Sequence, residues 1–170
     1  MNAGGRSIAL IGFMGAGKSA VGRELAARVK WPRFDTDEMI RQRFGSSIPE
    51  IFAKYGEETF REAETDALRS LRHVEADIIV TGGGIVLRDE NVQLLRALAM
   101  TIWLHADEEI LWQRASRRSN RPLLQTPNPR QKFSVLLQER LPLYQATADH
   151  RVDTSSASIA EIVDEIAKLL

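Results

Sequence analysis

The stretch Gly12-Phe13-Met14-Gly15-Ala16-Gly17-Lys18-Ser19 constrains this chain more than any other. It matches G-x-x-x-x-G-K-[ST] and stands between two segments of different periodicity. Ser7 to Ile11 is an apolar, β-prone run, whereas Val21, Leu25, Ala26 and Val29 recur at helical spacing. Strand, glycine loop and helix, in that order, form a cradle whose backbone N–H groups converge on phosphate oxygens. The helix beginning near Gly17 adds the positive end of its dipole. Lys18 is placed to reach β- and γ-phosphates, and the Ser19 hydroxyl to hold Mg²⁺. The stretch therefore predicts binding of a nucleoside triphosphate and leaves the recipient of the phosphate open.

The rest of the sequence narrows the setting. A chain of 170 residues suffices for one compact domain with a sizeable core. Lys plus Arg and Asp plus Glu both number 23, so no global charge points to nucleic acid or an anionic membrane. With no cysteine, disulfides, thiolate metal sites and cysteine nucleophiles are excluded. No apolar run approaches the roughly twenty residues of a membrane helix. Met1 to Arg6 is short and polar, unlike a signal peptide, and the expectation is a cytoplasmic monomer.

Strand and helix patterns alternate throughout, which predicts an α/β domain with a mainly parallel sheet. A short strand at Trp31 to Phe34 leads into Asp35-Thr36-Asp37 and a helix over Glu38–Phe44, stopped by Gly45. Ser47 and Glu50 form a capping box opening a short helix through Tyr55. Gly56 interrupts, and a longer helix runs from about Glu57 to Arg72. Ile78 to Val80 is a buried-type strand ending in Thr81-Gly82-Gly83-Gly84. A helix over Asp89–Ala97, a strand at Thr101–Leu104 and a helix from Asp107 follow. Residues 115–127 lack periodicity and are polar and basic, which predicts a mobile loop. Asn128-Pro129 opens a helix that Pro142 should end or kink. Arg151–Asp153 is the last strand, and a Ser158–Glu161 capping box opens the closing helix.

Ligands of a parallel α/β sheet bind beyond the carboxyl ends of its strands. The phosphate loop, Asp35-Thr36-Asp37 and Gly82-Gly83-Gly84 occupy three such places and should face one crevice. Phosphoryl transfer to an alcohol needs a phosphate cradle, Mg²⁺, cations and a group that orients the hydroxyl. Asp35 and Asp37 qualify for the last role, although Asp35 also fits an N-cap and Asp37 a first-turn carboxylate. The three glycines suit either close backbone approach to a ligand or a plain turn. Read locally, Arg61 pairs with Glu57 one turn away, Arg140 favours a helix end and Arg121 is solvated. His73, His105 and His150 show no metal spacing and read as surface or strand-end residues. Trp31, Trp103 and Trp112 read as core or rim. The basic loop lacks the wider basic face or interleaved aromatics of a nucleic-acid site.

Taken together, the phosphate loop, Phe34-Asp35-Thr36-Asp37, Glu58-Thr59-Phe60-Arg61-Glu62-Ala63-Glu64, Thr81-Gly82-Gly83-Gly84, Arg121-Pro122-Leu123-Leu124 and Arg140-Leu141-Pro142-Leu143-Tyr144 make the chain resemble shikimate kinase. The resemblance implies a P-loop NTPase fold with a five-stranded parallel sheet in 2-3-1-4-5 order, flanked by helices. It implies a single domain over 1–170, with a substrate-binding segment at about 38–61 and a lid at about 116–127. The implied activity is ATP-dependent phosphorylation of the shikimate 3-hydroxyl in chorismate and aromatic amino-acid biosynthesis, with Mg²⁺ as cofactor.

The same resemblance implies roles. Lys18, Asp37 and Arg121 would be catalytic. Gly15, Ala16, Gly17, Lys18, Ser19, Ala20, Arg114 and Arg121 would contact ATP. Asp37, Arg61, Gly82, Gly83, Gly84 and Arg140 would contact shikimate. Ser19 would hold Mg²⁺ directly and Asp35 through water. The chain departs from the pattern at Ala20, often threonine in the family, and in Thr154 to Ser158, which lacks a basic residue. The rivals are another small-metabolite kinase, such as one for gluconate, and a nucleotide switch. Neither N-K-x-D nor D-x-x-G of a GTPase is present.

Overall fold

The computed structural model describes residues 6–72, 76–118 and 121–170. Residues 1–5, His73, Ser119 and Asn120, named in the expectations above, lie outside the described residues. Five strands, β1 (Ser7–Ile11), β2 (Arg33–Asp35), β3 (Ile78–Val80), β4 (Ala99–His105) and β5 (His150–Asp153), form one sheet in the order β2-β3-β1-β4-β5. All pairings are parallel. Every residue of β1 and β3 is buried, as expected for central strands covered on both faces. In register, Asp35 pairs with Val80 and Val80 with Leu10. The three strand ends that precede the phosphate loop and the two candidate loops are therefore level, so their loops emerge side by side.

Among the described residues, seven helices flank the sheet: α1 (Lys18–Val29), α2 (Thr36–Phe44), α3 (Ile48–Ser70), α4 (Asp89–Leu98), α5 (Glu108–Ser116), α6 (Pro129–Thr147) and α7 (Ile159–Ala167). The capping boxes at Ser47–Glu50 and Ser158–Glu161 form as expected. α3 is interrupted at Gly56, whose φ of 83° a side chain would disfavour. The main core runs through the sheet and α1, α5, α6 and α7. A second, smaller core of Ile40, Ile51, Phe60 and Ala63 holds α2 and α3 together. His105 and His150 stand at the ends of β4 and β5. Trp103 is buried, and Trp31 and Trp112 pack on the core from its rim.

Three expectations change. Asp35 belongs to β2, and α2 begins at Thr36 because the Asp35 carboxylate caps the helix earlier than Glu38. α6 passes through Pro142 to Thr147. One ladder bond is lost there, but the last turn is held by buried Tyr144, by Thr147 Oγ1 donating to Leu143 O, and by Ala148 N donating to Tyr144 O. The stretch read as an unanchored loop is tied down at both ends. Ser116 is still helical, Pro122–Leu124 forms a 3-10 turn, and Leu123 and Leu124 pack against the main core.

Candidate active site

The phosphate loop is shaped by its glycines. Gly12, Gly15 and Gly17 have φ of 147°, 85° and 89°. A methyl at Gly12 would lie 2.5 Å from Leu104 O, and one at Gly15 would strike the backbone of α5 at Leu111 and Ala115. The loop is thus wedged between β4 and α5, with Ala16 buried and Gly17 and Ser19 exposed at its rim. Ala20 follows in the first turn of α1. Lys18 folds back over this loop, donating from Nζ to Gly12 O at 2.7 Å and Phe13 O at 3.0 Å. Its burial, reinforced by the Arg121 charge, lowers its pKa to about 8.

A phosphate group meeting Lys18 would favour its ammonium form, so binding above about pH 8 would take up a proton there. Nucleotide affinity is expected to fall as pH rises through this value, by up to about tenfold per unit. Calorimetry of ADP binding at pH 8.5 in buffers of different ionisation enthalpy should register the uptake, and a Lys18→Met variant should lose it.

Asp35 fills the N-cap position that its local pattern allows. Its Oδ1 accepts from Asp37 N at 3.0 Å and Glu38 N at 3.3 Å, capping α2. Its Oδ2 meets Arg33 Nη1 at 3.4 Å, and Arg33 is itself gripped by Glu38. Between Asp35 and Asp37, Thr36 is fully buried and its Oγ1 accepts from Gly82 N at 3.2 Å. That bond fastens the acidic turn to the glycine loop.

Asp37 does not behave as a solvated first-turn carboxylate. The residue is partly exposed, yet its Oδ1 is enclosed and has no hydrogen-bond partner among the described residues. Burial, then the neighbouring Asp35, pushes its pKa upward against the opposing charges of Lys18, Arg41 and Arg121. A more basic carboxylate is better suited to take a proton or orient a hydroxyl.

Arg61 and Arg140 lie on the far side of the glycine loop. Arg61 is 7% exposed and Arg140 3% exposed, so Arg61 is not the surface pair of the local reading and Arg140 is more than a helix-end cation. Arg61 does pair with Glu57, through Nε at 3.3 Å and Nη2 at 3.1 Å. Its Nη1 also donates to Glu64 at 2.7 Å. Arg140 sits over the Phe13 ring at 5.5 Å, and its Nε is buried without a partner among the described residues. The absent side chains of the glycines mark the geometry. A methyl at Gly82 would meet Glu64 Oε1 at 2.7 Å and Asp37 Oδ1 at 3.0 Å; one at Gly83 would lie 3.6 Å from Arg140 Nη1 and 3.6 Å from Met14 N. One at Gly84 would overlap the Arg61 guanidinium, 2.5 Å from Cζ.

The structure therefore brings Asp37, Arg61, Gly82, Gly83, Gly84 and Arg140 together beside the phosphate loop. Arg121 is close enough to bear on the charge of both Lys18 and Asp37. Arg114 stands apart from this cluster, on α5, with Nη2 donating to Thr154 O at 2.7 Å and Nη1 to Thr154 Oγ1 at 3.2 Å. Glu64 is the residue that sequence reasoning left without a role. It is fully buried, its Oε1 has no partner among the described residues, and burial raises its pKa against the pull of Arg61. The available signal was its position three residues after Arg61, on the same helical face.

The chain is similar to known proteins over nearly its whole length. A family model described as shikimate kinase matches residues 14–170. A shikimate kinase of Synechococcus sp. (strain JA-3-3Ab) is 46% identical over 95% of this chain and 86% of its own length. One from Thermodesulfovibrio yellowstonii is 40% identical over 96% of this chain and 94% of its own. A solved shikimate kinase from Acinetobacter baumannii, in complex with shikimate, superposes with a TM-score of 0.93 at 38% identity, covering 97% of this chain and 92% of that one. Family model, relatives and fold agree, and the chain belongs to the shikimate kinase family.

Proposed function

We propose that this chain transfers the γ-phosphoryl group of ATP to the 3-hydroxyl of shikimate, giving shikimate 3-phosphate for aromatic amino-acid biosynthesis. The observation that carries the reading is the pair of buried arginines, Arg61 and Arg140, flanking Gly83 and Gly84 with the unpartnered Asp37 oxygen beside them. Shikimate offers one carboxylate and three hydroxyls on a rigid ring. Planar guanidinium groups suit the carboxylate, and Asp37 suits the hydroxyls. Asp37 orients the 3-hydroxyl and receives its proton as the new P–O bond forms. The backbone of Gly83 contacts the ring, with Gly82 and Gly84 shaping the turn. Lys18 exchanges its loop carbonyls for the β- and γ-phosphates. Arg121, carried by residues 116–127 acting as a lid, neutralises charge on the transferring group, and lid closure excludes water as a competing acceptor. Arg114 borders the adenine, and Gly15, Ala16, Gly17, Ser19 and Ala20 line the phosphates.

The residues present fit Mg²⁺. Ser19 offers a hydroxyl at the exposed rim of the loop. Asp35, with Oδ1 committed to its cap and Oδ2 only loosely met by Arg33, is suited to reach a cation through water. Held there, Mg²⁺ would neutralise charge on the transferring phosphates. All these groups come from one chain, so a monomer suffices, and dependence on ATP fits the cytoplasm.

A coupled assay of ADP release with shikimate and with gluconate tests the reading. Turnover should require shikimate, and turnover of gluconate alone would overturn it. Arg61→Ala should raise the shikimate KM by about 10- to 100-fold with a smaller change in kcat, whereas Arg121→Ala should lower kcat by about 100-fold or more.

A further inference from the structure

Arg140 and Tyr144 lie one helical turn apart on the same face of α6. Tyr144 is fully buried, with its ring stacked against Trp103 of β4 at a centroid distance of 5.9 Å. Its hydroxyl donates to Gly83 O at 2.5 Å, joining residues 61 positions apart in sequence. The Arg140 guanidinium bears on the same hydroxyl. Neither the phosphate loop nor the carboxylate clamp accounts for this residue, although it closes the run Arg140-Leu141-Pro142-Leu143-Tyr144.

A buried phenol must place its O–H on some acceptor. The acceptor here is the middle carbonyl of a three-glycine run, which has no side chain of its own to hold a conformation. The other bonds of the loop fix its flanks. Gly82 N donates to Thr36, Ile85 N to Gly82 O, and Leu87 N to Gly84 O. None of them touches the peptide between Gly83 and Gly84. In a planar trans peptide the Gly83 carbonyl and the Gly84 N–H point in opposite directions. A bond that draws the carbonyl toward α6 therefore also sets the direction of that N–H.

We propose that Tyr144 is a positioning residue for the acceptor: its hydroxyl fixes the Gly83–Gly84 peptide beside Arg140, so that this backbone is set before shikimate arrives. The inference rests on the reading of Gly83 and Arg140 as acceptor contacts. Tyr144→Phe keeps the ring and its stacking on Trp103 and deletes only the hydroxyl.

The test uses the full chain, with steady-state kinetics for both substrates, calorimetry with shikimate and with ADP, and melting curves. For Tyr144→Phe, the shikimate KM and Kd should rise about 5- to 10-fold, the effect of one lost hydrogen bond, while kcat, the ATP KM and ADP affinity stay within about twofold. An unchanged shikimate KM would overturn the proposal. So would parallel losses toward both substrates that track a fall in Tm, the mark of a purely structural role. Arg140→Ala separates the two levels. If it leaves the shikimate KM untouched, the acceptor reading fails and the proposal with it. If Arg140→Ala is crippled and Tyr144→Phe is normal, only the positioning role fails.

Discussion

Asp37→Asn is expected to reduce kcat by about 10²- to 10⁴-fold while raising the melting temperature of the ligand-free protein. The two effects share one cause. Asp37 Oδ1 is buried without a partner among the described residues, and burial together with Asp35 disfavours its charged form. In the ligand-free fold this carboxylate takes up a proton more readily than in the unfolded chain. Stability from this group is therefore present at low pH and is lost as pH rises from the ordinary aspartate range, near 3.9, through the raised folded value. At neutral pH asparagine removes that penalty at constant shape, with an expected gain of about 1 kcal/mol, or about 2–4 °C for a chain of this size. Asparagine cannot accept the proton, so turnover suffers. In the wild type, activity needs the ionised form and is lost as pH falls through the same raised value, so the acid limb of kcat/KM should lie above the ordinary aspartate range. Melting scans and pH–rate profiles on both proteins check this. An unchanged or lower Tm for Asp37→Asn would contradict the buried-charge account.

The second large effect comes from the smallest substitution. Gly84→Ala places a methyl 2.5 Å from Arg61 Cζ and 2.8 Å from Nη2. A guanidinium at the end of a free side chain would move aside at little cost. This one is enclosed and held by Glu64 at 2.7 Å, and Glu64 is itself fully buried. Moving Arg61 would strand a buried carboxylate, the expensive way to break an ion pair. The expected result is a rise in the shikimate KM of about 30- to 100-fold and a fall in Tm of several degrees, with ATP binding preserved. Gly45→Ala is the matched control. Gly84 has an ordinary φ of −93°, whereas Gly45 has a positive φ, 62°, and a methyl there meets nothing within 4 Å. Its cost should be backbone strain of about 1–2 kcal/mol, with no change in the shikimate KM. Comparable KM changes in both variants would remove Arg61 from the explanation.

Much of this architecture was legible in the residues. The phosphate loop announced itself because glycine spacing, a β-prone run and a helical run agreed. The capping boxes at Ser47 and Ser158 marked helix starts because they work through local bonds. The sheet order followed from family resemblance, since strand neighbours are set by long-range packing that local periodicity does not record. Tertiary context also explains what was missed. Leu123 and Leu124 lacked periodicity, yet two apolar side chains found the core. Pro142 lost one ladder bond, yet the buried ring of Tyr144 kept the helix going. The local readings of Asp35 as a cap and Arg61 as a partner of Glu57 were correct and incomplete. Asp35 also meets Arg33, and Arg61 also holds the buried Glu64, contacts that only the fold reveals. Glu64 and Tyr144 escaped because their meaning lies in what they meet across the loop.

The division of apolar packing into two clusters has a consequence for redesign. Ile40, Ile51, Phe60 and Ala63 pack among themselves, apart from the large cluster that supports the sheet and the phosphate loop. Substitutions in unconnected clusters tend to add rather than interfere. A variant library confined to the small cluster and its neighbours Phe44, Ile48 and Phe52 would therefore alter the packing of α2 on α3 while leaving the core beneath the phosphate loop unchanged. The fold separates the recognition of a common donor from that of a particular alcohol, and selection for a new acid can work on one side of that seam.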